Sequence, residues 1–143
     1  MSDAHAGPAK PVLRGRLRPA APWLAYGDAA SLLVFTVLGL RFHNIAPGPG
    51  EVLRTAVPLW LAWFAAARVL GTYRRPAAAR FLLTWLVAVP AGLALRQLWL
   101  GRPFGPSFLI FVGVALGLTL VCLLVWRAVA MALRVGRRGP RPA

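Results

Sequence analysis

The chain has 143 residues, 59% of them apolar, and carries 17 Lys and Arg against three acidic residues, a net charge of +14. Soluble domains average about 45–50% apolar, and four long apolar stretches consume most of this length, which leaves no room for a soluble catalytic domain. The basic residues flank those stretches and form no aromatic-interleaved patch, so the expected anionic partner is the lipid headgroup layer and not nucleic acid.

In chain order, residues 1–22 are rich in Pro, Ala, Gly and Arg with no apolar periodicity, which predicts a disordered basic arm. The first apolar stretch, 23–42, is too long for a signal-peptide core and is followed by no A-x-A site, so it reads as an uncleaved anchor. The stretches 53–71, 81–100 and 104–129 follow, and residues 134–143 form a second basic tail. Each stretch is near the ~20 residues a helix needs to cross a ~30 Å hydrocarbon core. The predicted fold is therefore an all-α integral membrane four-helix bundle spanning 23–133.

Orientation follows from the flanks. The arm (Lys10, Arg14, Arg16, Arg18), the second connection (Arg74, Arg75, Arg80) and the tail (Arg134, Arg137, Arg138, Arg141) are basic. The first connection holds only Glu51 and the third only Arg102. Basic residues in short loops stay on the cytoplasmic side, so both termini are predicted inside, with the basic ends against anionic headgroups. The Ala, Arg, Gly, Leu and Pro bias is that of a GC-rich bacterial genome, which makes the inner membrane the expected location.

Three spans contain a charge well inside their limits. At 1.5 Å per residue, Asp28 lies roughly 7 Å and Arg68 roughly 9 Å to the cytoplasmic side of the span centres, and Arg96 about 8 Å to the other side. Intramembrane charges pair, face a wet cavity or mark a function. Matching depth predicts an Asp28–Arg68 ion pair between the first two helices; a proton or cation site at Asp28, or a protonated Asp28 without a partner, are the other readings. Arg96 is expected to snorkel to the outer headgroups, with an anion-facing role or a pairing with Glu51 as the other readings, and Arg127 snorkels at the cytoplasmic interface. His43 reads as an interfacial polar residue, because no second His, Cys or carboxylate stands at ligand spacing. No metal site and no cofactor are expected, and the single Cys122 excludes an intrachain disulfide.

Packing signals are fewer. Gly113 and Gly117 form a GxxxG in the fourth span, suited to packing within the bundle or to a homo-oligomer. Pro58 and Pro90 fall inside spans two and three, where kinks are expected. Trp23, Trp99 and Trp126 sit where an interfacial aromatic belt belongs, and Trp60 and Trp63 lie deeper as packing residues.

A set of ordered residues carries a family resemblance over 26–131. Gly27-Asp28 opens the first span, and Phe35 to Gly39 and then His43 close it. Thr55-Ala56-Val57-Pro58 begins the second, and Arg96 follows the Pro90/Gly92 segment. Pro106-Ser107-Phe108 opens the fourth span and Trp126-Arg127 ends it. In this order and spacing the chain resembles a small bacterial membrane family, domain of unknown function 3054. The resemblance implies four membrane helices, supplies no activity, and adds weight to Asp28, Arg96 and Arg127. Small multidrug-resistance transporters are an analogy in size and in a first-helix acid, but their dual-topology dimers need weak charge bias. The expectation is a non-enzymatic membrane packing or interaction component; the alternative is a small transporter or channel subunit using Asp28 and Arg96. No nucleophile with a base, paired carboxylates or metal cluster converges at one depth, so an enzyme is not expected.

Overall fold

The computed structural model describes residues 22–75 and 77–136. Apart from Pro22 and the helical backbone of 134–136, the predicted basic arm and tail lie outside the described residues. Four helices follow in order: α1 (Pro22–Phe42), α2 (Pro49–Leu70), α3 (Ala78–Trp99) and α4 (Pro106–Gly136). All four are long and apolar enough to cross a membrane. Helices are the form such segments take, because in hydrocarbon every backbone N–H and C=O must find its partner within the segment.

The largest departures from the expected boundaries are the start of α2 and the end of α4; α3 begins three residues early, at Ala78, and α4 two residues late, at Pro106. α2 begins at Pro49, not at residue 53, because proline at a helix start loses no hydrogen bond and arrives with a helical φ. Glu51 therefore lies in the first turn of α2 and pairs with Arg54 at 3.3 Å, where the expectation placed it in a loop. α4 runs past residue 129 to Gly136. At 1.5 Å per residue, its 31 residues reach about 46 Å, beyond a ~30 Å core.

Short connections make successive helices antiparallel. The helices form a ring in which α1 packs on α2 and α4, and α3 on α2 and α4; among the described residues the diagonal pairs bring no Cα atoms within 8 Å of each other. Leu32, Leu59, Trp63, Val89, Leu93 and Leu123 fill the centre. Buried hydroxyls are satisfied locally: Ser31, Thr36, Thr84 and Thr119 each donate to the carbonyl four residues earlier, at 2.7–2.9 Å. Trp63 is fully buried, and Trp60 donates to the Ala29 carbonyl at 3.0 Å, so both deep tryptophans join helices as expected.

The glycines that bring helices together are not the GxxxG pair. A Cβ on Gly92 would stand 2.8 Å from the Leu59 α carbon, and one on Gly27 would occupy the space of the Trp126 indole. Those two positions set how closely α2 approaches α3 and α1 approaches α4. Gly113 and Gly117 are exposed, and a Cβ on either meets nothing within 4 Å. Packing within the bundle is therefore excluded as their role. Pro58 and Pro90 both lie inside unbroken helices.

Candidate functional site

Two polar centres lie at opposite ends of the bundle. The first is built around Asp28, on the buried stripe of α1 that also carries Leu24, Ser31, Leu32 and Phe35. Its side chain is 0% exposed. Oδ2 accepts from Arg127 Nη2 of α4 at 2.6 Å and from the Tyr73 hydroxyl at 2.8 Å. Tyr73 in turn accepts from Trp63 Nε1 of α2 at 2.9 Å.

Tyr73 is delivered there by the end of α2. Gly71 adopts φ 66°, and the N–H of Thr72 returns to the Ala67 carbonyl, closing the helix in a left-handed turn that glycine adopts without steric cost. The turn is then tied to α3 by a 2.6 Å hydrogen bond between the Thr72 and Thr84 hydroxyls. Burial, reinforced by the charge of Asp28, pushes the Tyr73 phenol well above its ordinary value, which keeps it a proton donor.

Arg127 completes the centre. Its guanidinium lies over the Phe81 ring of α3, 4.8 Å from the centroid, and Phe81 stands edge-on to Trp63. One carboxylate thus gathers all four helices and the α2–α3 turn. Asp28 Oδ1, Arg127 Nε and Trp126 Nε1 are buried there with no hydrogen-bond partner within the protein.

This arrangement overturns the predicted Asp28–Arg68 pair. Arg68 is exposed, next in sequence to the buried Ala67, and points away from the bundle. Arg127, expected to snorkel, instead extends the buried α4 ladder of Ala115, Thr119 and Leu123 by four residues, and that ladder faces the bundle interior, where Trp85 of α3 donates to the Thr119 hydroxyl at 3.2 Å. Depth is not enough to choose a partner; angular position around the helix decides.

The second centre is at the end formed by the α1–α2 and α3–α4 connections. Arg96 is half-buried, and its Nε donates to the Thr55 hydroxyl of α2 at 3.1 Å. The alternative of a Glu51 pairing is not realised, since Glu51 is engaged with Arg54. Arg96 lines a groove of about 810 Å³ between α1 and α4, together with His43, Thr55 and Ser107. His43 also rests near the Phe111 ring, at 6.3 Å between centroids. Among the described residues no group of three or more His, Cys, Asp or Glu converges to hold a metal.

Sequence reasoning missed Tyr73 and Thr55 as members of these centres. For Tyr73 the signal was its place two residues after Gly71, a helix-ending glycine that turns the chain back onto the bundle. Thr55 stands in the family pattern, but nothing in the sequence links it to Arg96, because that contact depends on where the end of α3 falls beside the start of α2.

A protein-family model, described as protein of unknown function (DUF3054), matches residues 25–130. The chain belongs to the DUF3054 family. The match takes in α2, α3, most of α1 and α4, and both polar centres, close to the 26–131 of the resemblance. Neither the curated proteins nor the solved structures include a match. For this DUF3054 protein the functional reading therefore rests on its own geometry.

Proposed function

We propose that this protein is a non-enzymatic component of the bacterial inner membrane that acts by packing with itself or with another membrane protein. Both termini are cytoplasmic in this reading, and the basic arm and tail lie against anionic headgroups. The observation that carries it is the engagement of Asp28: fully buried, it is paired with Arg127 and held by Tyr73. A transported proton or cation needs a carboxylate that a path reaches, whereas a paired intramembrane charge serves to lock helices together.

The outward face of α4 supports the packing role. Ile110, Val114, Val121 and Val125 are exposed there, and the open Gly113 and Gly117 permit close approach of a second backbone. Cross-linking in native membranes followed by sizing in mild detergent tests this directly. The expected result is a discrete oligomer or hetero-complex, with a homo-oligomer becoming monomeric in a Gly113→Leu, Gly117→Leu variant that still inserts. Proton- or cation-driven flux in vesicles that is lost with Asp28→Asn, from a protein that cross-links to nothing, would favour the transporter reading.

A further inference from the structure

We propose that the groove between α1 and α4 is a binding site for one phospholipid with an anionic headgroup, the phosphate seated at Arg96 and an acyl chain lying along the groove. This goes beyond the packing role and does not rest on it. The groove's volume of about 810 Å³ falls within the roughly 300–1,000 Å³ of ligand pockets. Along α4 it runs from Ser107 to Val121, about 21 Å of helix rise. A leaflet is about 15 Å deep, half of a ~30 Å core, so the groove accommodates a chain and the start of its headgroup.

Its polarity is that of an amphiphile. The shaft is apolar, with Phe35, Leu118 and Val121 among its walls, while the hydroxyl of Ser107, the imidazole of His43, Thr55 and Arg96 gather at one end. Ser107 opens α4, Thr55 is in the second turn of α2, and Arg96 is in the last turn of α3, so these groups share one level. That level is where a lipid entering sideways would place its headgroup.

Charge selects the occupant. Arg96 forms no ion pair among the described residues, since Asp28 is paired with Arg127 and Glu51 with Arg54. Asp3 is the chain's remaining acidic residue, so a second copy would bring a further excess of Arg to the groove and hardly any carboxylate. A phosphate supplies the missing anion, and an arginine fork matches its oxygens. Ile110, Val114, Gly117 and Val121 border both the groove and the exposed α4 face, whereas Gly113 and Val125 of that face do not line the groove.

The test is native mass spectrometry of the full chain in mild detergent, with phosphatidylglycerol and phosphatidylcholine added at equal concentration. Both lipids present a phosphate, but the choline cation of phosphatidylcholine cancels its charge and repels Arg96, so phosphatidylglycerol should be retained about tenfold better. Arg96→Gln should erase that preference, and Arg96→Lys should keep part of it. Gly39→Leu should block both lipids, because residue 39 lines the groove and its Cβ would meet nothing within 4 Å, so the bundle accepts the larger side chain. An excess of glycerol phosphate should leave the bound lipid in place. Equal retention of the two lipids, a preference that survives Arg96→Gln, or binding unaffected by Gly39→Leu would each overturn the site. So would a Gly39→Leu variant that changed oligomeric mass and left lipid retention intact, which would identify a second copy as the occupant. Should Arg96→Gln fail to fold, Gly39→Leu still decides.

Discussion

Asp28 illustrates what a carboxylate costs and contributes when it lies at depth in a helix. Its short side chain has no route to water, so its charge is sustained by what reaches it, and here that is Arg127 and Tyr73. Breaking a buried pair by removing one partner typically costs about 3–5 kcal/mol, because the survivor is left uncompensated, whereas replacing both partners with apolar residues is often neutral. We therefore expect Asp28→Asn and Arg127→Gln each to destabilise the folded protein in detergent by an amount on that scale. The Asp28→Leu, Arg127→Met double variant should recover most of what Asp28→Leu and Arg127→Met lose singly, a coupling that the double-mutant cycle of those same substitutions reads directly. Arg68→Gln should stay within about 0.5 kcal/mol of the parent, as exposed positions do. Additive losses at 28 and 127, or a large loss at 68, would mean that the partner had been misassigned.

Between elements, the closest approaches occur where side chains are absent. Gly92 against Leu59 and Gly27 against Trp126 leave no space for a Cβ, so Gly92→Val should force α2 and α3 apart and lower the unfolding midpoint markedly. Gly113→Ala meets open space, and it should be neutral or gain up to about 1 kcal/mol from helix propensity. The reverse ranking in thermal denaturation would relocate the tight contact to α4. For packing within the bundle the sequence points to the wrong glycines, because a GxxxG is conspicuous while a single glycine opposite a bulky partner leaves no pattern. The same limit explains the Asp28 pairing. Span lengths were legible, since an unbroken apolar run reports directly on a bilayer crossing. Facing was not, because lipid-exposed Leu109, Ile110 and Val114 are as apolar as buried Ala115 and Leu123, and the hydrophobic contrast that marks the inner face of a soluble helix vanishes in a membrane. Polar residues retain the information: Thr119 and Arg127, eight positions apart, mark the inward stripe of α4 that no apolar residue could reveal.

At the scale of the whole molecule, an even number of antiparallel helices puts the start of α1 and the end of α4 at the same end of the bundle, and the basic residues divide unequally between the two ends. Arg41, Arg54, Arg96 and Arg102 flank the end with the α1–α2 and α3–α4 connections, which leaves thirteen of the 17 Lys and Arg for the other. Since α2 begins at Pro49, Arg54 lies within a helix and is paired with Glu51, which reduces its weight as a topology determinant. The imbalance predicts that the Asp28 end faces the cytoplasm and that the groove headed by Arg96 opens in the outer half of the membrane. Cys122 is the sole native thiol, so a Cys122→Ala background allows single-cysteine mapping. In intact cells a membrane-impermeant thiol reagent should label Gly48→Cys in the first connection and spare Ala77→Cys in the second, which becomes reactive only after the membrane is opened. Labelling of Ala77→Cys from outside, with Gly48→Cys protected, would invert the molecule and move the lipid groove to the cytoplasmic leaflet. Equal labelling of both would show that thirteen charges against four do not suffice to fix a single orientation.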